Sequence, residues 1–215
     1  MQLKYLEDMA FVHPSRIVDM DGIHYNPKDY LERYSWTSMG QEAYALQLII
    51  RGNVYSAHAA LTEDGFIAWQ IFEGPVSSHS VACFIKNKLA PVFYDTNILI
   101  LDNASNQKSR CVRDCLEVSL HGRFKYCSPY SPELKPIERA FSLVRRYVRE
   151  NEFDSRRDLN LINDAFNLYS VYGDRGSHCY HLFDLYRNNH DLWVQEPNAY
   201  CRWWPPARPA TVLEL

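Results

Sequence analysis

Two stretches, Leu99-Ile100-Leu101-Asp102-Asn103-Ala104 and Pro129-Tyr130-Ser131-Pro132-Glu133-Leu134-Lys135-Pro136-Ile137-Glu138-Arg139, decide how this chain folds. The first is an apolar run ending in a carboxylate, the pattern of a buried strand that delivers Asp102 at its C-terminal edge. The second is a proline-punctuated loop that opens a helix. Pro136 suits the first helical position, where its missing N–H costs nothing. Glu138 then falls in the first turn, where the helix dipole favours a carboxylate. An ionised acid at a strand end and another at a helix start suit a divalent cation, which takes hard oxygen ligands.

The run from Asp102 to Arg149 resembles the catalytic core of mariner-like and insertion-sequence transposases of the DDE superfamily. That family reads Leu-Asp-Asn-Ala, followed by Pro-Pro-Tyr-Ser-Pro-(Asp/Glu)-Leu-Asn-Pro-Ile-Glu. Here the second motif is Ser128-Pro129-Tyr130-Ser131-Pro132-Glu133-Leu134-Lys135-Pro136-Ile137-Glu138. The likeness covers about residues 15–150. It implies an α/β, ribonuclease H-like fold: a mixed five-stranded sheet flanked by helices, with a C-terminal helical extension. The expected organisation is a lead-in over 1–14, the catalytic domain over 15–152, the helical extension over 153–202 and a flexible tail over 203–215.

The family's first catalytic aspartate follows an apolar strand. Arg16-Ile17-Val18-Asp19-Met20-Asp21-Gly22 reads as such a strand running into a turn. Asp19 and Asp21 lie two residues apart and so share a face of the strand. On geometry alone either can be the ligand; the resemblance favours Asp19, with Asp21 as a turn residue before Gly22. The catalytic and metal-holding set is therefore expected to be Asp19, Asp102 and Glu138. Asn103 is expected to orient Asp102.

Outward from these motifs, Tyr34 to Gly40 resembles a family connection. Tyr44–Ile50, Val54–Leu61 and Phe66–Phe72 read as strands, the last two joined at Asp64-Gly65, a strong hairpin signal. Ser77 and Ser78 are N-cap candidates for a helix through Leu89 with an apolar stripe of Val81, Phe84, Ile85 and Leu89. Another helix is expected over Ser109–Val118 and a short strand over Gly122–Tyr126. In the Glu138 helix, Ile137, Phe141, Val144 and Val148 form a core-facing stripe. Glu138, Ser142, Arg145 and Arg149 fall on the adjoining flank. Asp154 or Ser155 can cap a helix carrying Leu159, Ile162, Phe166 and Tyr169, and Tyr180–Trp193 is apolar-periodic. The Trp203–Pro209 tail reads as extended.

Over 215 residues, 23 basic side chains stand against 26 acidic ones, so the overall balance does not advertise a polyanion binder. Locally it shifts: Arg139 to Arg157 holds six arginines against Glu150, Glu152 and Asp154. Lys135, Arg139, Arg145 and Arg149 are the DNA-binding candidates. Six cysteines show no disulfide framework spacing. Cys111 and Cys115 with His178-Cys179-Tyr180-His181 are an alternative set of zinc ligands, but that cysteine pair also fits one face of a short helix. No signal peptide or membrane-length apolar run is evident. The expected compartment is the nucleus in a eukaryote and the nucleoid-bearing cytoplasm otherwise.

The resemblance implies hydrolytic nicking at transposon ends, then attack of the free 3′-hydroxyl on target DNA. It implies magnesium, with manganese as a substitute, and DNA as partner; relatives usually act as homodimers. Two cations about 4 Å apart stabilise the entering and leaving oxygens of such a reaction. Three positions depart from the family pattern. Gln107 stands where histidine is common, Met20 where glutamate is common, and Lys135 replaces the asparagine before Pro136. Asparagine is a favoured N-cap and lysine is not, at a cost of about 1 kcal/mol; a phosphate contact by Lys135 is one compensation. Only eighteen residues precede Asp19, too few for the paired helix-turn-helix modules usual in the family. A host-adopted or degenerate, non-catalytic domain that binds DNA or protein is thus the competing expectation.

Overall fold

The computed structural model describes residues 2–25, 38–41, 54–128, 131, 134–151 and 158–195. The expected Tyr44–Ile50 strand, most of the Tyr34–Gly40 connection, the Asp154/Ser155 cap and the Trp203–Pro209 tail lie outside the described residues. The centre is a five-stranded sheet in the order β3-β2-β1-β4-β5. β1 (Ile17–Tyr25), β2 (Tyr55–Thr62) and β3 (Gly65–Glu73) form an antiparallel meander. β4 (Ile98–Leu101) joins β1 in parallel, and β5 (Phe124–Tyr126) joins β4 in parallel. This is the mixed five-stranded arrangement that the sequence led us to expect.

The helices are α1 (Gln2–Ala10), α2 (Ser78–Phe84, continued by a wider π turn over Ile85–Leu89), α3 (Arg110–Leu120), α4 (Pro136–Glu150), α5 (Asp158–Leu168) and α6 (Asp184–Gln195). Strand alternation divides the core between the two faces of the sheet. Ile17, Ile23, Tyr25 and Ile100 pack with Tyr5 and Met9 of α1, Phe141 and Val144 of α4, Phe166 of α5 and Tyr186 of α6. Val18, Met20, Leu99 and Leu101 pack on the other side with the α2 stripe and with Val112, Leu116 and Leu120 of α3. Ser77 caps α2 in a capping box with Ser80, as its position before the stripe implies.

One expectation needs correction. Asp21-Gly22 is not a turn: β1 continues to Tyr25 because β2 keeps pairing opposite it, from Gly22↔His58 to Tyr25↔Tyr55. The lead-in contributes to the core. Tyr5 and Met9, one turn apart, are buried, and α1 is tied to α6 by Tyr5–Tyr186 (3.0 Å) and Asn189–Leu6 (2.7 Å) hydrogen bonds. The C-terminal helices share it: Ile162, Phe166, Tyr169, Phe183 and Tyr186 belong to the same core cluster as α4.

The β2–β3 hairpin turns over Glu63-Asp64, with Thr62 paired to Gly65. Gly65 has φ +131°, and a Cβ there would meet the Tyr169 carbonyl at 2.7 Å. Both the backbone angle and the approach of the post-α5 segment therefore require glycine.

His58 on β2 is buried, 5.3 Å from the Phe72 ring and 5.7 Å from the Phe84 ring. Burial pushes its imidazole down to about 4. The unfolded chain, titrating near 6.5, then binds a proton before the folded one does. This contribution to stability is complete above pH 6.5 and is lost as pH falls towards 4. The loss is expected to reach up to about 3 kcal/mol. Thermal melts between pH 7 and pH 4.5 should show a steeper decline for the wild type than for His58→Gln.

Candidate active site

The parallel register of β1 and β4 sets which acids meet. Ile17 pairs with Ile98, Val18 with Leu99 and Asp19 with Ile100. Carried two residues further, that register sets Asp21 level with Asp102. Asp19 sits about 6.6 Å deeper along the strand, at a rise of about 3.3 Å per residue. A cavity of about 520 Å³ opens at this end of the sheet. Asp21, Asp102 and Glu138 line it together with Asn103, Lys135 and Lys108. Asp19 does not.

Asp19 is fully buried. Its Oδ2 accepts the Ile137 N–H of α4 at 3.0 Å, and its Oδ1 lies 3.3 Å from Lys135 Nζ. Lys135 occupies the N-cap position of α4 and makes no side-chain cap bond. The orphan amide at the helix start is instead satisfied by Asp19, reaching over from β1. Burial pushes the Asp19 carboxyl up to about 7, with the Lys135 ammonium and the Ile137 amide pulling the other way.

Lys135 does not face outward towards phosphate. Its side chain is buried, and Nζ donates to Asp21 Oδ2 at 2.9 Å and to the Met20 carbonyl at 3.0 Å. Burial works against its charge, but Asp19 and Asp21 outweigh it and hold the ammonium above the ordinary lysine range. In this arrangement Lys135 meets Asp21 and Met20 and not the DNA-facing position expected of it. Arg139, Arg145 and Arg149 are exposed along α4 and form no salt bridge among the described residues. Glu138 stands exposed in the first turn of the same helix.

Asp102 follows the last residue of β4. Its Oδ1 accepts the Ala104 N–H at 2.9 Å, and its own N–H donates to Gln107 Oε1 at 3.1 Å. Burial raises the Asp102 pKa, the Ala104 amide opposes this, and the Asp21 charge raises it further. Asn103 does not touch the Asp102 carboxylate in this arrangement; its amide donates to the Cys127 carbonyl and braces the β4 exit against the β5 exit. The Ala104 amide is what meets the Asp102 carboxylate, and Gln107 braces the backbone beside it. Besides holding the Asp102 amide, its Nε2 lies 3.4 Å from Asp21 Oδ1, so one buried side chain spans both strands. Its place five residues after Asp102, where the family often carries histidine, was the available signal.

The donor chemistry of the cavity fits hard divalent cations: three carboxylates line it, and the cationic Lys135 ammonium already sits on one of them. Among the described residues no three Asp, Glu, His or Cys side chains converge closely enough to hold one metal ion as arranged here. That applies to the cavity carboxylates and to the cysteine–histidine set alike.

A family model of the DDE superfamily endonucleases matches residues 16–160. The chain belongs to that family. It is also similar to solved Mos1 structures. The Mos1 strand transfer complex aligns at 18% identity and TM-score 0.64, over 91% of this chain and 60% of that one. The mariner Mos1 paired end complex with Mg aligns at 18% and 0.63, over 91% and 62%. The catalytic domain of Mos1 mariner transposase aligns at 14% and 0.55, over 88% and 92%. No curated protein matches. The DDE-family chain thus has the ribonuclease H-like fold of a mariner-type transposase catalytic domain, and it spans about three-fifths of the Mos1 chains in the strand transfer and paired end complexes. Among its described residues no helix is long and apolar enough to cross a membrane.

Proposed function

We propose that this chain is a transposase-type DNA endonuclease and strand-transfer domain whose divalent cations are held by Asp21, Asp102 and Glu138. The observation that carries the reading is the shared cavity: one carboxylate from β1, one from the end of β4 and one from the start of α4 line it. Asp21 takes the role first expected of Asp19, which is committed to capping α4. When bound, magnesium or manganese would stabilise the entering and leaving oxygens of the phosphodiester and lower the pKa of the attacking water. Gln107 fixes the spacing of the two strand carboxylates, and the Ala104 amide fixes the Asp102 rotamer. Glu138, on the rigid first turn of α4, closes the set from above.

DNA is the proposed substrate, drawn along α4 by Arg139, Arg145 and Arg149. Replacing Arg145 and Arg149 together by glutamine is expected to weaken DNA binding by about tenfold near physiological salt and to lower the salt slope by about two. Fluorescence anisotropy across a salt series checks both. The Mos1 paired end complexes motivate a homodimer, and the nucleus or nucleoid is the corresponding compartment.

A second reading is favoured by one observation, the Lys135 ammonium 2.9 Å from Asp21 Oδ2: a non-catalytic descendant that keeps the fold to bind DNA or protein. A supercoiled plasmid incubated with the protein and Mg²⁺ or Mn²⁺ separates the two. Metal-dependent nicking that disappears in Glu138→Gln supports the enzyme. Equal plasmid profiles with wild type, Glu138→Gln and no protein leave the binding domain.

A further inference from the structure

Lys135 is a built feature of this site and not a surface residue that happens to lie near it. Its stem is enclosed at the start of α4, and its ammonium is held by three oxygens from one strand: Asp21 Oδ2 at 2.9 Å, Met20 O at 3.0 Å and Asp19 Oδ1 at 3.3 Å. These oxygens present a compact cation site, and the chain fills it from within. Asp21 is also the strand carboxylate level with Asp102. A divalent cation bridging the two would come within a few ångströms of a fixed positive charge, where repulsion is strong in a half-buried setting.

We propose that Lys135 is a resident counter-cation that occupies the Asp21 side of the acidic cluster, so that a divalent cation loads only when the ammonium withdraws. This rests on the proposed metal site at Asp21, Asp102 and Glu138 and adds a regulatory element to it. Without metal the lysine partly neutralises two neighbouring buried carboxylates and keeps the start of α4 docked on β1. With metal that neutralisation is supplied from outside, and the side chain is free to leave. The domain therefore binds divalent cations more weakly than its carboxylates alone would dictate, and a partner that attracts the lysine, such as a DNA phosphate at the cavity mouth, would favour loading.

The test is Mn²⁺ binding by the full chain, read by titration calorimetry and by the shift in Tm with Mn²⁺, for wild type, Lys135→Asn and Lys135→Gln. Both variants are expected to bind Mn²⁺ at least about tenfold more tightly than wild type. They are also expected to melt lower without metal and to gain more in Tm on its addition. Adding Asp102→Asn to either should remove the gain. Unchanged affinity in both variants, with binding still lost on Asp102→Asn, would overturn the role of Lys135 and leave the metal site standing. Binding insensitive to Asp102→Asn in every background would overturn the metal site itself. Should neither variant fold, the ¹⁵N-labelled lysine ammonium signal of the wild type decides. Loss of the protected Lys135 signal on Mg²⁺ saturation is expected, and its persistence at saturation contradicts the proposal.

Discussion

Asp21→Asn is expected to reduce metal-dependent plasmid nicking by about a thousandfold, roughly 4 kcal/mol of transition-state stabilisation, in a domain that still folds although the Lys135 ammonium loses its charged partner at 2.9 Å. Asp19→Asn should spare nicking. The asparagine keeps an acceptor for the Ile137 amide but loses the charge beside Lys135. The variant should therefore lose about 1–3 kcal/mol of stability and keep its nicking rate within about tenfold per folded molecule. The two variants differ from wild type by the same chemical change, two residues apart on one strand face. Their contrast reports position and not chemistry. The physical basis is the strand register: Asp21 is level with Asp102, whereas Asp19 is level with Ile100 and enclosed beneath α4. Denaturant melts with nicking assays on both variants check this. If nicking survives Asp21→Asn and is lost in Asp19→Asn, the assignment of the first carboxylate reverses.

Phe166→Ala is expected to cost about 3–5 kcal/mol, a large share of the total stability of a domain of this kind. Phe166 of α5 is fully buried. Its ring meets Phe66 edge-on at 4.9 Å, lies parallel to Trp69 at 5.9 Å and stands perpendicular to Phe141 at 6.5 Å. It thereby joins α5 to β3 and to the helix that carries Glu138. A single cooperative transition shifted to lower urea concentration is the expected result. A change below about 1 kcal/mol, or a separate early transition, would mean that the segment after α4 folds as an independent unit.

How much could be read in advance depended on whether the signal was local. The apolar stripes of α2 and α4, the Asp64-Gly65 hairpin and the strand ending at Asp102 are all periodic or turn signals within a few residues, and each element formed where its pattern lay. The placement of Asp102 and Glu138 at one cavity was legible because each is fixed by the element that ends or begins beside it. The choice between Asp19 and Asp21 was not. Both have the same parity, and what distinguishes them is the offset between β1 and a strand about eighty residues away. The inward course of Lys135 was illegible for the same reason, since its partners Asp21 and Met20 lie on another strand. A lysine before a proline reads locally as an exposed cation with no capping ability. Gln107 departs from the family pattern at a known spacing, but its bridge to Asp21 depends on β1. Tyr5 and Met9 were too short a pattern at the chain start to read as core.

Asp21, Asp102 and Glu138 are proposed to share a divalent cation. The most direct measurement is a crystal structure grown with Mn²⁺, with anomalous data collected at the manganese edge. The expected result is an anomalous peak in the cavity with oxygens of Asp21 and Asp102 at about 2.1 Å, Glu138 turned in towards it and the Lys135 ammonium moved off Asp21. A cavity without a peak at saturating Mn²⁺, or a peak bound through Asp19, would contradict it.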